Sequence, residues 1–502
     1  MSLPDWILQF KEPHTQIKYI NKRYYKYEVS YKYVPERKRT ITVVGNLLGR
    51  ITKEHGFIPS EKNKLREQQN AMPKVDIKNY GVYALFENLL ADETPELKKV
   101  FGKEKAEKVL TFAMMRWAYQ SPIKRVLNYQ VHNFCSENWC KETQLSDKQV
   151  TTLLKYFGEN REMVVKFTKA LLPKGSAKTD NFVMMDSTHI MSNSENLAVN
   201  VPGYNPSFDF GKQIRLMYMF SSEIKKPVYY RLVNGNIPDI ASMSLCIREL
   251  GAKNVVFIAD KGFYSEANIT LLEEENLKFL IPLRRNNQAI DYAQLGENNF
   301  KQKRSFFIFQ KRIIWYYQYE KEGRNYVTFL DERLRVEEEE DYLNRIVTQP
   351  DGYSEKGYLE KLLSFGTLTL AYNLDGSESN SGETENQTPI AAEQLYVLYK
   401  QRNEIEIMFD SYKNFLKSDV MYMQDRHVCE GWLFANFIAM IAYYKLYDRL
   451  RNATLLKKES PKDIIELAKA VYQMKIQGEW QCSEIPKRTR EIFKKIGIDC
   501  LK

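Results

Sequence analysis

The sequence predicts an α/β fold with a sheet of mixed direction, on three observations. Residues 182–186 read FVMMD and residues 255–260 read VVFIAD, short continuous apolar runs of the kind that strands buried on both faces show. Further strands lie between them, KQIRLMYMFS at 212–221 and KPVYYRLVNG at 226–235, followed by a helix from about Asp239 to Leu250. Between Tyr399 and Lys413 the chain reads YKQRNEIEIMFDSYK, one helix whose apolar residues Leu398, Ile405, Met408, Phe409, Tyr412 and Leu416 project together. The order β, β, β, α, β, α, β, then this helix, is that of a mixed α/β sheet.

The chain has 502 residues, too many for one simple core, and suggests three or four units. Residues 1–75 read as a basic β region. Tyr25, Tyr27, Val29, Tyr31 and Tyr33 alternate with Tyr24, Lys26, Glu28, Ser30 and Lys32, which predicts a half-buried strand. A turn near Pro35 carries Arg37, Lys38 and Arg39 before a second strand, TITVV at 40–44. Such a basic tip follows a DNA groove or is simply exposed. The whole chain carries 74 Lys and Arg against 64 Asp and Glu, a formal charge of +10; over 1–66 we count 14 against 6, which points that end toward a polyanion.

Residues 76–178 read as helices, a DNA-binding or dimerisation region. Ser146 and Gln149 form a capping box for SDKQVTTLLKYF, Gly158 is expected to end that helix, and another runs from about Asn160 to Leu172. Two short helices in sequence suit a helix-turn-helix, but Arg161, Lys166 and Lys169 are the second one's only basic residues, so packing is the default reading. The catalytic domain is expected over 179–450, and 451–502 form a C-terminal helical region. The apolar run WLFANFIAMIAYY at 432–444 is too short to span a bilayer and reads as a helix beneath the sheet. No secretion signal opens the chain, and six cysteines without Cys-x-x-Cys spacing support neither a zinc site nor a disulfide framework, so a reducing cytoplasm is expected.

Each of the first two apolar runs delivers a carboxylate, Asp186 and Asp260. Two such groups on neighbouring strands repel unless a cation lies between them. Parallel pairing, with strands just under about 5 Å apart, puts both within reach of one divalent ion. Glu406 completes an all-oxygen set that suits Mg²⁺, with Mn²⁺ as the other candidate. Tyr399, Arg402, Glu406 and Lys413 stand at offsets of 3, 7 and 14 and on a straight helix share an arc of roughly 60°. The plain alternative is an Arg402–Glu406 surface pair beside a solvated Lys413. His189 is expected near the site without a role as base, and Lys261 touches DNA or water.

These residues resemble the bacterial insertion-sequence transposases of the DDE type that carry the Tyr-(2)-Arg-(3)-Glu-(6)-Lys signature. The match at 399–413 is complete in residue type and spacing. DST at 186–188, GY at 203–204, Gln213, NGN at 234–236 with Asp239, and ADKGFYS at 259–265 agree too, so the resemblance covers roughly 180–445. It implies a ribonuclease H-like core in which Asp186, Asp260 and Glu406 hold two divalent metals, with Tyr399, Arg402 and Lys413 on backbone phosphates. It implies cut-and-paste transposition on double-stranded DNA, with terminal inverted repeats and target DNA as partners, a homodimer in the synaptic complex, no membrane, and a cytoplasmic, nucleoid-associated location.

Asp186 and Asp260 lie 74 residues apart but Asp260 and Glu406 lie 146 apart, too far for a structureless link. Runs at 305–320, 326–332 and 365–374 predict an inserted, mostly β subdomain at about 290–390, with Trp315 either stacking on an unpaired base or facing inward. The acidic run Glu337–Asp341 reads as a solvated face or helix start, and 375–388 as a loop. The competing function is an inactive or immobile transposon-derived DNA-binding protein; a glycosidase with paired acids is a third reading, disfavoured by the phosphate-type residues around Glu406.

Overall fold

The computed structural model describes residues 3–34, 39–65, 75–172, 181–202, 211–221, 223–234, 245–246, 248–250, 255–296, 301, 304–349, 352–374, 390–476 and 478–498. Arg37, Lys38, the GY pair at 203–204, Asp239 and the stretch 375–388 lie outside them, as does most of the helix expected from Asp239. The chain forms two compact units, one of residues 1–77 with 474–481, the other of 78–473 with 482–502.

The first unit is built on an antiparallel meander: β1 (Thr15–Ile20), β2 (Arg23–Val34), β3 (Arg39–Thr52) and β4 (Gly56–Pro59), paired in chain order. The regular alternation expected along β2 does not survive. Register shifts at Lys26/Tyr27 and Tyr27/Val29 mark bulges, and an extra residue in a strand reverses which side chains face inward. Lys26, expected outside, is therefore buried and pairs with Glu12 at 2.8 Å, while Tyr31 and Tyr33 are each 59% exposed.

The second unit starts with helices: α1 (Gly81–Leu89), α2 (Glu93–Phe101), α3 (Lys103–Tyr119), α4 (Asp147–Glu159) and α5 (Arg161–Leu171). The capping box at Ser146 and Gln149 is present. Gly158 does not end its helix; Asn160 is the cap, and Gly158 serves a close approach instead. A Cβ there would stand 2.0 Å from the His427 carbonyl oxygen. Arg161 is occupied by packing: it donates to the Tyr230 carbonyl at 2.7 Å and pairs with Glu249 at 3.0 Å.

An eleven-stranded mixed sheet comes next in the chain. Its strands are β5 (Asn181–Ser192), β6 (Val201–Pro202), β7 (Lys212–Ser221), β8 (Lys226–Asn234), β9 (Val255–Ile258), β10 (Lys278–Pro282), β11 (Ser305–Phe309), β12 (Arg312–Lys321), β13 (Arg324–Asp331), β14 (Thr367–Tyr372) and β15 (Val420–Met421). The main path runs β11-β12-β13-β14-β10-β9-β5-β7-β6, with β8 on β7 and β15 on β5. The strands expected between 305 and 374 thus continue the same sheet as the two aspartate strands. The run at 305–320 is two strands, because Gln310 and Lys311 turn the chain with φ of 49° and 66°. Glu337–Asp341 lies inside a helix, α7 (Glu332–Thr348), laced by Arg333–Glu337, Arg335–Glu339 and Arg345–Asp341 pairs at i, i+4.

Alternation along the central strands assigns their side chains to two cores. Met184, Tyr218, Ile258 and Leu280 join the core that also holds the helices. Val183, Met185, Phe257 and Phe279 turn to the opposite core with Ile269 and Leu272 of α6 (Glu266–Glu274). The first core is closed by α8 (Ala392–Lys400), α9 (Asn403–Asp410) and the 27-residue α10 (Arg426–Asn452), with α11 (Pro461–Lys469) and α12 (Lys487–Lys495) also contributing. The run at 432–444 lies in α10 as expected, and among the described residues no helix is long and apolar enough to cross a membrane.

Candidate active site

Strand register decides where the aspartates stand. β5 and β9 pair in parallel with Ile258 opposite Met184. Two residues further on, Asp260 and Asp186 reach the same level, and the two-residue period of a strand puts both on the face shared by Met184 and Ile258. Asp186 does not close its strand, as the sequence suggested: β5 runs on to Ser192 because β7 still pairs with it, Asp186 lying opposite Tyr218. Only β9 stops there, at Ile258, two residues before Asp260.

The same face receives α9, whose Ile405, Met408 and Phe409 enter the first core and leave Glu406 outward. Glu404 fixes that helix: its carbonyl accepts from the Tyr444 hydroxyl at 2.9 Å and its carboxylate from Arg451 at 3.1 Å.

All three acids meet on one group, the Arg402 guanidinium. Nη1 lies 3.7 Å from Asp186 Oδ2, Nη2 lies 3.8 Å from Asp260 Oδ1, and Nη2 donates to Glu406 Oε1. The Arg402 side chain is 11% exposed, against 21% for Asp186, 38% for Asp260 and 53% for Glu406, so the cation is the most enclosed member. Burial pulls its pKa down, but Tyr399 and the three carboxylates more than offset this and the net shift is upward. Burial raises the Tyr399 hydroxyl, with Asp260 and Glu406 adding to the rise and Arg402 opposing it.

The signature is not one straight helix. Helix α8 ends at Lys400, and residues 401–402 turn with i, i+3 hydrogen bonds, Arg402 N to Tyr399 O and Ile405 N to Arg402 O, each 3.0 Å. After α9, Ser411–Phe415 form a π-helical turn that contains Lys413. Among the described residues no ion pair joins Lys413 to the acid cluster; burial lowers its pKa and Asp419 partly restores it. Tyr399, Arg402 and Glu406 stay together, and Lys413 does not join them.

Other expected residues stand elsewhere. Trp315, half-buried on β12, lies opposite Leu330 in the register, meets Phe306 with ring centroids 5.2 Å apart, and packs against the small cluster of Tyr317 and Leu330. Arg39 opens β3 and is exposed, as is Lys261. His189 Nε2 lies 3.0 Å from Arg215. Cys135 and Cys140 are buried free thiols.

One supporting residue escaped the sequence. Arg116 of α3 is buried and donates to five neutral acceptors: Asn436 Oδ1 at 3.1 Å, the Gln120 and Ser121 carbonyls at 3.2 Å, the Leu416 carbonyl at 2.6 Å and Ser418 Oγ at 2.9 Å. It holds the segment that leaves the π turn. Its signal was a lone charge inside FAMMRWAY, matched by Asn436 inside the apolar run of α10.

A divalent ion asks of such a site hard oxygen donors around a concentrated positive charge. Among the described residues no three His, Cys, Asp or Glu side chains enclose a metal position as they stand. The donor set nonetheless fits the need: three carboxylates converge within 4 Å of a single cationic group.

The transposase DDE domain model matches residues 181–442, more than half of the chain, and the chain belongs to that family. It is an enzyme acting on DNA, of a family that generally uses divalent metals. No curated protein sequence matches it. Among solved structures it is similar to the cryo-EM structure of a piggyBac transposase synaptic complex with hairpin DNA; the two are 10% identical, the match covers 78% of this chain and 70% of that one, and the TM-score is 0.36.

Proposed function

We propose that this transposase cuts double-stranded DNA at the ends of an insertion sequence and joins the freed ends to target DNA by a cut-and-paste route. Asp186, Asp260 and Glu406 would hold two divalent ions, Mg²⁺ by preference, on a ribonuclease H-like core. The observation that carries this reading is the convergence of those three acids, drawn from two parallel strands and a distant helix, on one cation.

Metal ions held there supply Lewis acidity for in-line displacement at phosphorus. The chain's own part is positional. The two strands fix the aspartates at one level, and α9 brings Glu406 over them. Tyr399 and Arg402 stand beside the acids, where a hydroxyl and a forked guanidinium can hold phosphate oxygens of the DNA end. Lys413, on the π turn after α9, would hold phosphate further along the strand. Arg37, Lys38 and Arg39 would add positive charge for DNA, residues 76–178 would contribute to DNA binding or pairing of two copies, and Trp315 is offered for base stacking. A homodimer would allow two ends to be handled together.

Cleavage of a labelled duplex carrying the element's end, with Mg²⁺ or with EDTA, tests this in wild type and Glu406→Gln. Metal-dependent nicking at the end that disappears in the variant supports the reading. Binding without cleavage under every metal would replace it with an inactive DNA-binder.

A further inference from the structure

We propose that Arg402 is a built-in counter-cation: its guanidinium fills the acid site until a divalent metal displaces it, so that metal loading releases a phosphate-binding group toward DNA. This rests on the metal-site reading above and specifies what the chain does before metal arrives.

Three observations lead here. One guanidinium touches all three acids, bonding Glu406 and standing 3.7 and 3.8 Å from Asp186 and Asp260. A phosphate-binding arginine serving DNA alone has no need to reach both strands; this one spans them. The group is also the most enclosed of the four, although its charge would be better solvated outside, so the acids hold it in. Finally, Arg402 lies at the break between α8 and α9, on i, i+3 hydrogen bonds, and not within a regular helix. A side chain at such a junction is re-aimed by changing a few torsions.

The choice of arginine matters. Without a cation, three carboxylates gathered this closely repel one another and favour protonation or separation. A lysine could answer by losing its proton; a guanidinium stays charged at any physiological pH. The plug therefore leaves only by moving, and only for a cation that satisfies the acids better. Metal and guanidinium compete for the same oxygen atoms, and the energy that binds metal is reduced by what it costs to expel Arg402.

The test is Mn²⁺ binding to the full chain without DNA, measured by calorimetry and electron paramagnetic resonance, for wild type, Arg402→Gln, Arg402→Lys, Lys413→Gln and Glu406→Gln. Arg402→Gln should bind Mn²⁺ about tenfold more tightly, every tenfold being about 1.4 kcal/mol. Lys413→Gln removes the same charge without vacating the acids and should leave affinity within about twofold. An equal gain in Lys413→Gln would show general electrostatics and overturn the proposal, as would unchanged or weaker binding in Arg402→Gln. If Arg402→Gln fails to fold without metal, Arg402→Lys, which keeps the charge and loses the fork, should show a smaller gain; no gain there overturns the proposal. Failure of wild type and every folded variant to bind Mn²⁺ would sink the metal-site reading itself, whereas binding lost only in Glu406→Gln upholds that reading.

The release step has its own readout. Ca²⁺, another oxygen-seeking cation, should tighten binding of a short duplex to wild type and tighten it less in Arg402→Gln, since coupling between two ligands is reciprocal. Equal tightening in both would remove the release half of the proposal.

Discussion

Replacing Arg116 by methionine tests how the signature segment is held. The guanidinium sits under Trp432, 5.4 Å from the ring centroid, and burial pushes its pKa down to about 10. Among the described residues no carboxylate pairs with it; all five bonds go to neutral oxygens of Gln120, Ser121, Leu416, Ser418 and Asn436. Methionine keeps the length of the stem and fills apolar space, but it leaves those oxygens without the donor. A buried acceptor stripped of its partner costs roughly 1–3 kcal/mol. Ser418 Oγ keeps the Asn436 Nδ2 donor at 3.3 Å and the Leu416 carbonyl keeps Ser418 Oγ at 3.3 Å, so the loss concentrates on Asn436 Oδ1 and the Ser121 carbonyl. Relief from burying a charge offsets part of that, leaving a net loss of about 2–4 kcal/mol. Denaturant unfolding read by fluorescence and circular dichroism measures it, and amide exchange should rise locally over 411–418. A loss under about 0.5 kcal/mol, or unchanged exchange there, would refute the view that Arg116 supports the π turn.

Gly431→Ala should destabilise the protein by about 1–3 kcal/mol or more, because α4 and α10 cross with main chains touching and overpacking there has no outlet. The added Cβ would meet the Leu154 carbonyl oxygen at 1.9 Å, and thermal unfolding of the variant checks it. Asp425 caps α10 by accepting from Val428 N at 2.9 Å, and that bond holds its carboxyl below the usual 3.8. A depressed folded pKa adds stability above the unfolded value, lost as pH falls through the folded one. Asp425→Asn should therefore flatten the acid limb of the stability profile below that range, while costing at most about 1 kcal/mol at pH 7. Glu406→Gln should abolish metal-dependent nicking yet retain duplex binding, read by gel shift.

The sheet was legible because its central strands are buried on both faces: Val183, Met184 and Met185 are each fully buried, and such runs announce themselves without alternation. The acid site was legible in part for the same reason, since a carboxylate after a run like that has few structural uses. What the sequence concealed were features with no period. The bulges in β2 exchange inside for outside at Lys26. Gly158 resembles a helix stop, yet its lack of a side chain is needed by a partner more than 260 residues away in the chain. Arg116 finds three of its five acceptors, on Leu416, Ser418 and Asn436, about 300 residues downstream, so no local pattern could name those.

The signature itself shows how spacing and geometry part company. Offsets of 3, 7 and 14 line up only on an unbroken helix, and this one is broken twice. The turn at 401–402 sets Arg402 free of a regular helix and lets its guanidinium reach both aspartates as well as Glu406. Lys413 lies inside the π turn at Ser411–Phe415 and not on the regular helix that carries Glu406. Burial lowers the lysine's pKa and the Asp419 carboxylate opposes that, while among the described residues no ion pair joins it to the three acids. The four residues therefore form no single stripe. Tyr399, Arg402 and Glu406 meet the two aspartates at the end of β9, one guanidinium among three carboxylates, and the fourth stands apart on a segment anchored by Arg116 through Leu416 and Ser418. If that lysine does hold DNA, its distance from the three acids depends on the π turn. Shortening the turn by one residue should then move the phosphate contact without disturbing the acids.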